Sequence, residues 1–203
     1  MKRINNCLRA ALLLLCLGCS GLSAASEWNI AQLMQALASH QSGRATFTET
    51  TYLAILKRPV ESAGELTFVA PDYLQKITLT PQREVLTLRG DTLSIERKAR
   101  KRVLRLSEYP QLRALVDSIC GALAGAHATL ANTYQLTLTG AENNWQLTLI
   151  PKIVAADGVG QIVISGSAGI VSGIEINQVD GDRSIMRIEN LQLDQPLFGA
   201  PAP

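Results

Sequence analysis

The chain has 203 residues, enough for one domain with a substantial core, and carries 19 Lys and Arg against 17 Asp and Glu. Residues 1–24 hold three of those basic residues and no acidic one, so the remainder has 16 against 17, a net charge of −1. This near-neutral balance excludes a global nucleic-acid-binding role, which draws on a strongly basic surface to displace counterions.

The first segment reads as a secretory signal peptide, residues 1–24. Lys2, Arg3 and Arg9 make a positive start, Ala10 to Leu17 is apolar, and Gly18, Ser20, Gly21, Ser23, Ala24 and Ala25 supply small residues for cleavage. The apolar run is far short of the ~20 residues that span a bilayer as a helix. Cleavage next to Ala24 gives a soluble periplasmic product. Cys16-Leu17-Gly18-Cys19 also resembles a lipobox, in which Cys19 would be acylated and the product anchored. Three of the four cysteines lie in this segment, which leaves Cys120 without an intrachain disulfide partner. With no His or Lys adjacent in sequence to activate it, Cys120 reads as a buried, inert thiol.

After the leader, Trp28, Ile30, Leu33, Met34, Leu37 and Ala38 recur at helical spacing, with Gly43 as the stop. Segments of period-two patterning follow at about 44–57, 62–70, 73–80, 84–89, 91–97 and 101–106, separated by turn chemistry such as Pro71-Asp72 and Gly90-Asp91. A helical stretch covers about 110–131, with Leu112, Leu115, Val116, Ile119 and Leu123 on one stripe. Five more strands are predicted at about 133–140, 144–150, 159–167, 171–179 and 183–193. In the last, the apolar phase shifts between Met186, Ile188 and Leu191, Leu193, which predicts a bulge. Residues 198–203 read as a frayed tail.

These elements define an α+β protein: one strongly curved antiparallel sheet of about eleven strands whose concave face is covered by helices. The catalytic inventory is thin. His40 and His127 lack partners at metal spacing, no HExxH, paired CxxC or Walker A motif occurs, and Gly166-Ser167-Ala168-Gly169 is no nucleophile elbow. No catalytic, metal-ligating or cofactor-binding residue is assigned, and no cofactor is implied. The faces carrying Leu66 and Phe68, Trp145 and Leu147, Ile174 and Met186 have two readings. They fill a core against the helices, or the curved sheet exceeds what short helices can fill and leaves a cavity for a lipid chain. Candidate lining residues are Phe47, Leu66, Phe68, Tyr73, Ile77, Trp145, Leu147, Ile174 and Met186, with Leu115 and Ile119 as lid contacts. A basic cluster, Arg97, Lys98, Arg100, Lys101, Arg102 and Arg105, bridges two strands. It reads either as a solvated edge that discourages aggregation or, at Lys98, Arg100, Lys101 and Arg102, as a docking patch for anionic headgroups or an acidic partner.

Residues 45–106 resemble the outer-membrane lipoprotein carrier family of the LolA type. The resemblance lies in the order of Ala45-Thr46-Phe47-Thr48-Glu49, the strand Gly64 to Pro71, the strand Tyr73 to Pro81, and Gly90-Asp91-Thr92-Leu93-Ser94-Ile95. Gly169 to Ile176 and Asp182-Arg183-Ser184 resemble the closing strands. The resemblance implies an open, incomplete β-barrel lidded by helices over residues 25–197. It also implies a monomeric carrier that shields acyl chains of lipoproteins, taking them from an inner-membrane transporter to an outer-membrane acceptor without catalysis. Two positions depart from the family pattern: Ala70 stands where an Arg before the Pro helps hold the lid, and Ser94 stands where Trp is frequent. They mark a divergent branch, with another amphiphile as an alternative cargo. A second reading is an envelope module that senses lipids or proteins, anchored through Cys19, and transports nothing.

Overall fold

The computed structural model describes residues 28–154 and 158–193. The leader, Cys19, the tail at 198–203 and the outer ends of the expected 25–197 domain lie outside them. Helix α1 (Ile30–Ala38) leads into strands β1 (Ser42–Tyr52), β2 (Val60–Val69), β3 (Tyr73–Thr80), β4 (Glu84–Arg89), β5 (Thr92–Arg97) and β6 (Arg100–Arg105). A 3-10 turn (Leu106–Glu108), α2 (Pro110–Leu123) and α3 (His127–Thr133) then lead to β7 (Tyr134–Ala141), β8 (Asn144–Pro151), β9 (Val159–Ser167), β10 (Ile170–Gln178) and β11 (Arg183–Leu193).

All eleven strands form one antiparallel sheet in the order β6-β5-β4-β3-β2-β1-β11-β10-β9-β8-β7. The two halves of the chain therefore meet at β1 and β11, while β6 and β7 are left as edges of an open barrel. Every connection within each half is a hairpin.

The apolar faces close this sheet around two separate clusters. On one wing, Leu33, Met34 and Leu37 of α1 pack with Trp145, Leu147, Leu149, Ile162 and Ile164 of β8 and β9, all at most 3% exposed. The Trp145 indole donates to the Ala168 carbonyl at 2.7 Å, and its ring lies over Gly166, where a Cβ would come within 2.5 Å of it. On the other wing, Leu88, Leu106 and Cys120 are buried with Leu74, Leu93, Leu112 and Val116 around them. Burial in that cluster, with the charges of Asp117 and Asp72, pushes the Cys120 thiol up to about 11, so it stays protonated and unreactive at neutral pH.

Three elements differ from the sequence reading. Gly43 is not the helix stop: α1 ends at Ala38, where Ser39 caps it by donating its hydroxyl to the Ala36 carbonyl at 2.6 Å. Gly43 sits inside β1, paired with Leu193 and Phe68. The long helix divides at Gly125, whose φ of 68° and close approach to Met34 O and Ala38 Cβ leave no room for a side chain. β1 ends at Tyr52 rather than near 57, and Ile55 beyond it is 90% exposed. The bulge expected in the last strand is present. Thr46 faces Glu189 whereas Arg44 faces Gln192, and Asn190 at the step has φ 53°, a conformation Asn tolerates.

Because a Cβ at Gly166 would meet the Ile170 carbonyl oxygen at 2.1 Å and the Trp145 ring at 2.5 Å, Gly166→Ala should cost about 1–3 kcal/mol or more by overpacking. Urea unfolding monitored by tryptophan fluorescence reads this directly, and an unchanged midpoint would contradict the packing described.

Candidate functional site

The clusters of the two wings leave the middle of the concave face uncovered. There α2 crosses the sheet at a distance, and a cavity of about 320 Å³ opens between them. Leu115, Ile119 and Leu123 of α2 and Leu37 of α1 form its roof, with His40 beside them. Its floor comes from both halves of the sheet: Ala45, Leu66, Phe68, Leu74 and Leu86 from β1 to β4, and Val171, Ile174, Ile176, Met186, Ile188, Leu191 and Leu193 from β10 and β11. The bulge at Asn190 matters here, because it returns Leu191 and Leu193 to the face that Met186 and Ile188 already occupy.

Of the residues expected to line a cavity, Leu66, Phe68, Ile174 and Met186 are on its wall, and Leu115 and Ile119 are on the helix above it. Phe47 is on the concave face but only 2% exposed, its ring covered by the Lys76 ammonium 4.9 Å from the centroid. Trp145 and Leu147 also point to the concave side, but α1 packs on them, so they belong to the filled wing. Tyr73 and Ile77 do not line the cavity. In the β2–β3 register Phe68 faces Leu74 and Leu66 faces Lys76, which places Tyr73 and Ile77 with Val69 and Glu65 on the convex side. There Arg89 stacks on the Tyr73 ring at 5.4 Å.

The sequence reading missed the polar group in this wall. Glu49, two residues beyond Phe47 on the same face, pairs with Lys76 and accepts from Ser184 Oγ at 2.6 Å and Ser62 Oγ at 3.3 Å. Lys76 reaches it across β2 where Gly64 offers no side chain; a Cβ there would lie 3.0 Å from the Phe47 ring. Burial opposes ionisation of Glu49, but the Lys76 ammonium and the hydrogen bonds from Lys76, Ser184 and Ser62 outweigh it and hold the carboxyl below the usual glutamate range. The signal available in the sequence was parity alone: Gly43, Ala45, Phe47 and Glu49 alternate along one face.

The roof is fastened without the Arg that Ala70 replaces. Arg113 of α2 reaches Asp91 in the β4–β5 turn at 3.0 Å and Asp117 at 2.7 Å, and Asp91 also accepts from the Ser107 amide and hydroxyl. The Tyr134 hydroxyl donates to the Ala114 carbonyl at 3.0 Å. The ion pairs are solvent-exposed and so contribute little. The apolar contacts of Leu112, Val116 and Cys120 hold α2 more firmly at its outer edge, and on its other side Ala122 is buried in the α1 cluster while Leu115, Ile119 and Leu123 pack against that cluster and border the cavity.

Of the basic cluster, Lys98 sits in the β5–β6 turn and Arg100, Lys101 and Arg102 on the edge strand β6. Lys101 pairs with Glu96 at 2.6 Å; among the described residues Lys98, Arg100 and Arg102 make no ion pair.

The described residues form an open, helix-roofed antiparallel barrel with an apolar interior. Residues 22–188 match the family of outer membrane lipoprotein carrier protein LolA-like proteins, and the chain belongs to that family. Among solved structures it is similar to a LolA superfamily protein from Nitrosomonas europaea, at 11% identity and a TM-score of 0.47 over 82% of this chain and 93% of that one. It is also similar to a DUF1329 family protein from Desulfovibrio piger, at 14% identity and 0.48 over 83% and 92%. A third similarity is to the MucA/MucB complex of Pseudomonas aeruginosa, at 14% identity and 0.42 over 85% of this chain and 58% of that one. No curated protein sequence matches it.

Since Glu49 is held ionised in the fold, its contribution to stability is complete above the ~4.3 of a free glutamate and is lost as pH falls through its lower folded pKa. The wild-type melting temperature should therefore drop on acidification below about pH 4 more steeply than that of Glu49→Gln. Parallel profiles would contradict the ion pair.

Proposed function

We propose that the protein is a periplasmic carrier that holds an acyl chain, of a lipoprotein or a related amphiphile, in the cavity beneath α2 and performs no chemistry on it. The observation that carries this reading is the gap itself: a mostly Leu, Ile, Val, Phe and Met wall left unfilled in a chain of the carrier family. Its volume lies at the small end of the ~300–1,000 Å³ of ligand sites, which suits a single extended chain. Each CH₂ removed from water contributes ~0.8 kcal/mol, so a long chain is held by burial alone. Release requires α2 to lift. Its exposed ion pairs contribute little, so that motion costs mainly the apolar contacts of α2 with the two clusters, less than unfolding the sheet. The leader at 1–24 supplies export, and passage between an inner-membrane transporter and an outer-membrane acceptor completes the cycle.

The basic hairpin serves this reading as a docking element. Strand order puts the β5–β6, β1–β2, β10–β11 and β8–β9 turns at one end of the sheet. That end also exposes Ile55 and Ile153, each 90% accessible, next to Lys57, Arg58 and Lys152. Basic groups beside exposed apolar tips suit an anionic headgroup surface.

Two measurements test the reading. Leu66→Trp should fill the cavity and lower affinity for a fluorescent acyl probe at least tenfold, with the melting temperature nearly unchanged. Probe binding that is absent in the wild type, or unaltered in the variant, would overturn the carrier reading. A Lys98→Gln, Arg100→Gln, Arg102→Gln variant should float less with anionic vesicles, by about 1 kcal/mol per charge at low salt, and keep its probe affinity. Unchanged flotation would leave β6 as a solvated edge only.

A further inference from the structure

A buried ion pair adds little net stability once its desolvation is counted, and apolar residues of similar volume replace such pairs at no loss. Glu49 and Lys76 nevertheless stand in a wall that is otherwise almost entirely hydrocarbon, with side chains 14% and 20% exposed. Ser184 is the third polar side chain of this group on the cavity wall. The cluster is also positioned with respect to the cavity's length. Glu49 and Ser184 lie near Tyr52 and Arg183, where β1 and β11 meet the exposed hairpin end. Phe68, Leu191 and Leu193 wall the far end, around Gly43. The cavity thus has the Glu49–Lys76–Ser184 cluster toward the basic and apolar hairpins, while its end beneath α1 carries Phe68, Leu191 and Leu193 with His40 and Ser42 beside them.

We propose that the Glu49–Lys76–Ser184 cluster is the head-group site of this cavity, and that it selects an acyl chain ending in an uncharged carbonyl, an ester or amide, over the same chain ending in a free carboxylate. This rests on the carrier reading above and specifies its ligand.

The inventory of donors and acceptors carries the inference. The Glu49 carboxylate already accepts from Lys76, Ser184 and Ser62. The hydroxyl hydrogens of both serines are spent on it. Lys76 has three N–H donors, of which one goes to Glu49; its ammonium also lies 4.9 Å from the Phe47 ring centroid, and among the described residues it has no second hydrogen-bond acceptor. What the cluster offers the cavity is therefore N–H donors and serine lone pairs, with a net charge of zero. A carbonyl oxygen accepts from Lys76 and brings no charge with it. A carboxylate accepts equally well but enters a poorly hydrated space beside the ionised Glu49, where its own charge has no free counter-ion. Glu49 thus acts as the discriminating group: it neutralises Lys76 in advance. An alcohol or carbonyl head is then drawn to the hairpin end, and the chain extends toward Leu193.

The test is competition for a fluorescent acyl probe bound to the purified protein at neutral pH, using tetradecanoate and its glycerol monoester, which share one chain. The monoester should displace the probe at a concentration about tenfold or more below that of the acid, because both heads accept from Lys76 but only the acid brings an uncompensated charge. In Glu49→Gln the ammonium has lost its counter-ion and the order should reverse in favour of the acid. In Lys76→Met both competitors should bind more weakly, because each has lost the donor it shares with the other. Equal displacement by the two competitors in the wild type would overturn the proposal without recourse to any variant. The same ratio in wild type and in folded Glu49→Gln would also overturn it. Absence of any acyl binding would remove the carrier reading and this one together, whereas binding without the preference would remove this one alone.

Discussion

The structure depends on a mismatch of area. A sheet of eleven strands curves far enough to enclose more space than the three α-helices of the described residues fill. Apolar side chains on the concave face must leave water, and the helices are too few to cover them all. The chain resolves this by concentrating its helices at the wings. α1 sits on β8 and β9, and the outer face of α2 sits on β4 and β5. The strip between, where β1 meets β11, is only partly covered: Ile188 packs against the α1 cluster, while Met186, Leu191 and Leu193 border the cavity. A cavity in that place follows from the ratio of strands to helices rather than from any particular residue, and the proposed acyl chain would dry it.

Much of this was legible from the sequence because strand parity is a strong signal. Leu66 with Phe68, Ile174 with Met186, and the phase shift before Leu191 place these residues on one face without any structure. Where parity is ambiguous, the reading failed. In β3 the apolar residues Tyr73, Ile77 and Leu79 share one face and only Leu74 the other, so composition points to the wrong side. The pairing of Phe68 with Leu74 and of Leu66 with Lys76 decides the matter, and register is a long-range property. Trp145 and Leu147 failed differently. Their face was right, but only the packing of α1 shows that their part of the sheet is filled.

The same ambiguity hid the polar site. A lysine on a strand is ordinarily assigned to water, and Lys76 shares its face of β3 with only one large apolar residue, Leu74. In the fold it is the Glu49 carboxylate, reached across the gap at Gly64, that makes an inward lysine tolerable. With Ala70 before Pro71, the charged link between roof and sheet comes from elsewhere: Asp91 of a turn and Arg113 of α2 pair across 22 residues, exposed and so contributing little. Both arrangements show that polar groups in this chain are placed by partners that sequence proximity does not reveal.

The central claim is that an acyl chain occupies the space between α2 and the middle strands. Isotope-filtered nuclear Overhauser spectroscopy on the protein with a labelled tetradecanoyl ester tests it most directly. The account predicts contacts from chain methylenes to the methyl groups of Met186, Ile119 and Leu66, and none to Ile77 on the opposite face. Contacts to Ile77 with none to Met186 would contradict it.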